Sequence, residues 1–330
     1  MRAMDYAEVR EAFFQMRDAG AAEPGTSGWQ SPARRLRDAI EPIATICYWS
    51  EPAYDAYAAL GLDFLQGYVW SRGCVLGEPD GGVVAAAFGV FEPGLIVQLY
   101  DAARAAAGLA DIRAAREAGA VTALRTVLGG TALGGTALGG TTLDGTTLDG
   151  TALDAPERVA EVTAALRRGV EAADTAGRPL FAGLSGLPSP ADELGQLWHA
   201  CAMLRELRGD SHLAACVAAG LTGLEANILT ELRVGWPLHS YTATRGWPPE
   251  TMNLATASLS ERGLIADDTL TGAGASLRAD VEEATDRQLA PVRDAIGPAL
   301  FDILPPLQEW SRQIVEHGWF PPDPYKRASG

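Results

Sequence analysis

The most constraining stretch of this chain runs from Trp247 to Arg287. A helix-like segment from Pro248 to Arg262 closes at Gly263. Leu264-Ile265 then begins a short strand, Asp267-Asp268 turns it, and Leu270-Thr271 begins the return. Gly272-Ala273-Gly274 leads into a long helix ending near Pro291. A two-residue acidic turn between short apolar runs is a hairpin signal, and the flanking periodicities are helical. Helix, Arg-Gly, strand, acidic turn and Leu-Thr before a glycine-led helix is the order in which a small wing follows a helix.

The first half carries a fainter copy. Ser71-Arg72-Gly73 matches Glu261-Arg262-Gly263, and each is followed by apolar residues and a turn. Upstream, a short amphipathic helix covers Tyr6 to Asp18, and a Gly/Pro/Ser linker covers Gly20 to Pro32. Helical periodicity continues from Arg34 to Trp49, Ala53 to Leu60 and Phe64 to Ser71. Cys74-Val75-Leu76, the turn Glu78 to Gly82 and the apolar run Val83 to Val90 then read as a hairpin. Three short helices followed by a hairpin is winged-helix order. The expected fold is therefore mostly α with small β-wings, a tandem winged-helix arrangement. Its expected parts are an N-terminal unit over 1–127, a loop over 128–155, connecting helices over 156–220, and a C-terminal winged helix with its tail over 221–330.

The loop is a five-residue repeat from Leu128 to Asp154 that begins Leu-Gly-Gly-Thr-Ala. Excising Thr131 to Gly150 rejoins the flanks sensibly, so the segment reads as a repeat expansion without chemistry. Beyond it, helices are expected over Pro156 to Ala176, from Ser189 and Pro190 to Leu207 with Gly209 as the stop, over Ser211 to Ala219, and from Thr222 to Val234.

Charge narrows the function classes. The 330 residues hold 42 acidic and 26 basic side chains, a formal net charge of -16. Such a field repels nucleic acid and anionic membranes unless a local basic patch overrides it. Cys47, Cys74, Cys201 and Cys216 show no paired spacing and read as reduced, buried thiols. With no apolar leader and no uninterrupted apolar run of membrane-spanning length, a cytoplasmic location with no membrane partner is expected.

The residues Leu197-Trp198-His199-Ala200, Leu204-Arg205-Glu206, Arg208-Gly209-Asp210-Ser211-His212 and Gly220-Leu221-Thr222 resemble a mainly actinobacterial family of MarR-like helix-turn-helix proteins. Arg245-Gly246-Trp247, Glu41-Pro42-Ile43, Gly67-Tyr68 and Phe91-x-Pro93 fit the same pattern. The resemblance covers roughly residues 34–298 and implies a fold, with no settled reaction. Histidines are usual in that family where this chain has Ala44, Glu92 and Leu207, whereas His199 and His212 are kept. This chain resembles a divergent member.

The scaffold suggests DNA binding, but the residues oppose it. Between Thr244 and Arg278 stand Arg245, Arg262 and Arg278 against Glu250, Glu261, Asp267 and Asp268, a net of -1. The expected recognition helix, Met252 to Leu259, carries no cation, and two aspartates sit at the wing tip where phosphate contacts belong. Nucleic acid is therefore an unlikely partner on this reading. Metal fares no better. His199 and Cys201 are two apart on a helix and diverge, while His212 and Cys216 share a face but are too few. No metal and no cofactor are expected.

The block from Trp198 to His212 gathers two imidazoles, two guanidiniums and two carboxylates in an alanine-rich chain. It reads either as a buried ion-pair network locking helices together or as a polar patch on a pocket. Aromatic residues cluster in the first half. They either fill the core or line an interdomain cleft for an organic ligand. On the pocket reading, His212, His199 and Glu92 are the catalytic candidates. Tyr48, Trp49, Tyr68, Trp70, Arg72, Phe91, Arg205, Glu206 and Arg208 are the ligand-binding ones. The expected function is binding, with or without cofactor-free conversion, of a hydrophobic or aromatic organic molecule of natural-product type in an interdomain pocket, with a homodimer as a possible assembly. The alternative is a MarR-like, ligand-responsive transcriptional regulator.

Overall fold

The computed structural model describes residues 6–13, 31–132 and 156–321. The linker from Gly20, the rest of the first expected helix, and the repeat beyond Ala132 lie outside the described residues. The N-terminal helices are α1 (Tyr6–Phe13), α2 (Pro32–Trp49), α3 (Glu51–Ala58) and α4 (Phe64–Gly73). Ser31 starts α2 by accepting a hydrogen bond from the Arg34 amide at 3.1 Å, with Pro32 in the first turn, where its missing N–H is harmless. Asp63 and Gln66 form a reciprocal capping box on α4.

The expected N-terminal hairpin is absent. Cys74–Leu76 is a turn of 3₁₀ helix, and Gly81–Phe88 is α5, capped by Asp80 through the Gly82 amide at 2.9 Å. An eight-residue apolar run fits a strand or a helix equally well by periodicity. Here the cap and the packing of Val84, Ala85 and Phe88 against α6 (Pro93–Ala106) decide for helix. Long α7 (Leu109–Ala132) follows, with α8 (Pro156–Glu171) and α9 (Pro179–Ser185).

The expected break at Gly209 is absent too. One helix, α10 (Glu193–Ala218), runs 26 residues straight through it, and its N-cap is Asp192 instead of Ser189. A mid-helix glycine costs about 1 kcal/mol. That is small beside the partners of its neighbours: Asp210 accepts from the Phe181 amide at 3.0 Å, and Arg208 pairs with Glu282 at 2.6 Å. α10 is buried on nearly all sides, packed by α2, α7, α8 and α9.

In the C-terminal part the expected order of helix, short hairpin and helix is found. α11 (Gly223–Arg233) starts at a Thr222–Glu225 capping box. It is followed by α12 (Pro249–Glu261), the antiparallel pair β1 (Ile265–Ala266) and β2 (Thr269–Leu270), and α13 (Gly272–Gln288). The hairpin turn is made by Asp267 at φ 48° and Asp268 at φ 55°. Both lie in the left-handed region that a two-residue turn demands and Asp tolerates. This is the only sheet among the described residues, which are mostly helical, and the described residues of the N-terminal half hold no strand.

Two cores result. A small one joins Cys216, Leu229, Leu259, Ile265 and Val281 beneath the wing. The large one joins the N-terminal helices, α8 and α10 with α14 (Ala290–Ile296) and α15 (Ala299–Ile314), which return to pack on α8 and α2 respectively.

Candidate functional site

The small unit docks on an elbow of the large one at residues 88–92. The Val90 carbonyl accepts from Asn227 Nδ2 at 2.7 Å and from Trp247 Nε1 at 3.0 Å, and the Glu92 amide donates to the Arg245 carbonyl at 2.9 Å. A Cβ on Gly223 would stand 1.8 Å from the Gly89 carbonyl oxygen, so α11 approaches this elbow as closely as only glycine allows. The loop between α11 and α12 is organised by buried Glu231. Its carboxylate accepts from the amides of His239, Tyr241 and Thr242 and from the Thr242 hydroxyl. That arrangement fixes Arg245 at the seam.

A run of guanidiniums and rings crosses this seam. The Arg205 guanidinium lies 6.0 Å from the Tyr48 ring, Tyr48 meets Tyr68 edge-on at 5.2 Å, and Tyr68 meets Phe91 at 5.8 Å. Arg245 then stands 5.0 Å over Phe91 and 4.3 Å over Tyr241. Tyr68, Phe91, Arg205 and Arg245 are half-buried and form an open edge, while Tyr48 and Tyr241 are buried behind it.

Beneath the run lies an ion-pair cluster. Arg72 grips both oxygens of Glu206, with Nε at 3.1 Å and a terminal nitrogen at 2.9 Å. Arg205 donates to Glu206 at 2.5 Å and lies 3.5 Å from Glu41. Burial alone raises the Glu206 pKa, but the Arg205 and Arg72 charges beside it hold the carboxyl down to about 2. Arg72 also stacks 4.5 Å over Phe88.

Of the sequence-expected residues, Tyr48, Tyr68, Arg72, Phe91, Arg205 and Glu206 therefore converge. The others go elsewhere. Trp70 is fully buried, donating to the Ala107 carbonyl at 2.8 Å. Trp49 faces Phe64 and Phe320. Glu92 caps α6, accepting from the Gly94 and Leu95 amides. Arg208 belongs to a second buried cluster in which Glu282 also accepts from Arg278 at 2.6 Å. Burial alone raises the Glu282 pKa, but Arg278 and Arg208 hold that carboxyl well below the usual range.

His212 sits in that second cluster, 3.3 Å from the Thr285 hydroxyl and 3.7 Å from Cys216 Sγ. His199 lies 3.2 Å from the Leu184 carbonyl. Burial lowers their pKa values to about 3 and about 4, so both imidazoles are neutral. Thirteen residues along one helix separate the two by about 20 Å. A single acid–base centre using both is not the arrangement found, because Gly209 does not turn the chain between them. No group of three metal-ligating side chains occurs among the described residues.

Sequence reasoning missed Arg245, Tyr241, Glu41 and Glu282. Arg278 and Glu282 carry a four-residue spacing that was available as a signal. Tyr241 and Arg245 carry the same spacing, but their seam partner Phe91 is distant in sequence, as Arg205 is from Glu41.

Comparison with known proteins places this architecture. A helix-turn-helix family matches residues 33–321, most of the chain. The chain belongs to that helix-turn-helix family. No curated protein and no solved structure matches it. Membership is compatible with a regulatory or DNA-binding role. No single helix among the described residues is long and apolar enough to cross a membrane.

Proposed function

We propose that this helix-turn-helix protein binds a planar or aromatic organic molecule of natural-product type at the half-buried edge formed by Tyr68, Phe91, Arg205 and Arg245. The observation that carries this reading is the run of three rings, Tyr48, Tyr68 and Phe91, flanked by the guanidiniums of Arg205 and Arg245. Ring faces accept stacking, and arginine supplies both charge and planar donors for an anionic substituent. Binding without conversion fits best, because His199, His212 and Glu92 are each committed to separate partners.

Native mass spectrometry of protein purified from its own host tests this. A co-purifying organic mass that Tyr68→Ala or Arg245→Gln loses supports the reading. An empty protein at that site in both wild type and variants sinks it.

A second reading, a MarR-like ligand-responsive regulator, is favoured by family membership and by the uncovered outer face of α12, where Leu254 is 73% exposed. Against it, the other exposed residues of α12 include Glu250, Asn253 and Glu261. Arg262 is paired with Glu225 at 3.1 Å, and the wing tip is Asp267-Asp268. Anisotropy with a random-sequence duplex at about 50 mM salt is expected to give no more than weak, non-specific binding. Tight binding there would favour the regulator.

A further inference from the structure

Five arginines are buried among the described residues, and four of them are answered by carboxylates. Arg37 pairs with Asp38, Arg72 with Glu206, and Arg208 and Arg278 with Glu282. The fifth is Arg116 of α7, which is 3% exposed and pairs with no carboxylate among the described residues. Its guanidinium lies 4.6 Å over the Trp198 ring. A ring face offsets only part of the cost of burying a cation, and arginine cannot shed its proton to escape that cost.

The polar groups around it do not supply the missing charge. Tyr48, Cys47, Cys74 and Tyr57 act on it most strongly after burial itself. Burial lifts the pKa of each above its ordinary value, so these thiols and phenols stay protonated near neutral pH. Three of them are spent on backbone carbonyls. Tyr57 donates to Cys47 at 2.8 Å, the Cys47 thiol to Ala44 at 3.6 Å and the Cys74 thiol to Ser71 at 3.2 Å. Burial, and after it the Arg116 charge, lowers the pKa of His199 to about 4, so the unanswered charge reaches that imidazole as well.

The head of Arg116 is not sealed. It donates no hydrogen bond to a described residue, yet of its three nitrogens only Nε is both closed to water and without a partner. The share of the side chain that stays open therefore includes the terminal nitrogens, which border space of water size.

We propose that Arg116 holds a small inorganic monoanion of chloride size at its terminal nitrogens, inside the large core beside Trp198, Tyr48 and Cys47. One negative charge matches the one unanswered positive charge, and an ion of this size suits the space those nitrogens border. The site is distinct from the Tyr68–Phe91 edge and does not depend on it.

Thermal unfolding of the full chain in sodium chloride, against sodium isethionate at equal ionic strength, tests this. The two salts screen alike, but isethionate is too bulky to follow chloride in. Between about 5 and about 500 mM, the wild-type midpoint is expected to rise about 3 °C more in chloride. Arg116→Met keeps the length of the side chain and removes its charge. It is expected to fold, since an apolar replacement of a buried charge is often neutral or stabilising, and to lose the difference between the salts. Crystals of the full chain grown in sodium bromide give a reading that needs no variant, with an anomalous peak expected against the Arg116 terminal nitrogens. Equal midpoints of the wild type in the two salts, an undiminished chloride response in folded Arg116→Met, or bromide found only at surface sites overturns the proposal.

Discussion

At the scale of single residues, this protein is held by buried charges that are answered by other buried charges. Glu206 with Arg72 and Arg205, and Glu282 with Arg208 and Arg278, are two such sets. Removing one partner leaves the rest desolvated, so Glu206→Gln is expected to lower unfolding free energy by about 3–5 kcal/mol in urea titrations. Because the Glu206 pKa is depressed to about 2, its contribution is whole above pH 4.5 and fades as pH falls toward 2.

Three other groups set a pH dependence nearer neutrality. His199 and His212 have pKa values lowered by burial, so the unfolded chain takes protons there first, and stability falls as pH drops below 6.5. Asp210 runs the opposite way. Burial raises it to about 7, so its contribution is whole below pH 3.8 and is lost as pH rises through 7. Denaturation midpoints measured from pH 5 to 8 are expected to show Asp210→Asn gaining on wild type as pH rises. A constant difference across that range would remove Asp210 from the account.

At the scale of elements, three local rules met tertiary context with different results. The wing formed where its turn chemistry asked for it. Asp267 and Asp268 tolerate positive φ but do not favour it as glycine does. Asp268→Gly is therefore expected to raise the unfolding free energy by about 0.5–1 kcal/mol, seen as a slightly higher thermal midpoint. Gly223 marks a contact no periodicity reveals. Gly223→Ala forces the Gly89 carbonyl aside and is expected to cost about 1–3 kcal/mol, with faster amide exchange in α11. Gly209 looked like a stop and was not, since it lies in regular helix with no positive φ and is flanked by anchored side chains.

At the scale of the whole molecule, α10 belongs to both cores, with Leu204 in the large one and Cys216 in the small one. It is joined to α13 by the Arg208–Glu282 pair, which makes that pair a strut between the bodies. Glu282→Gln is expected to raise hydrogen exchange across α11 to α13 while α2 and α7 stay protected. Uniform loss of protection would instead mean that the two cores unfold as one unit.

Local signals in the chain were enough for the helical class, the hairpin with its acidic turn, the helix start at Thr222, and several of the aromatic and charged residues later found at the seam. A cap, a turn or a period is complete within a few neighbours. The sequence by itself could not determine that Val83–Phe88 is helical, that α10 is continuous, or which candidates meet. His199 and His212 are close in number yet sit about 20 Å apart, because an unbroken helix puts a fixed rise between them. Tyr68, Arg205 and Arg245 are far apart in number yet adjacent, because the small unit docks on the elbow at Val90. Only the packing of one body on the other brings such residues together, and no short-range pattern encodes it.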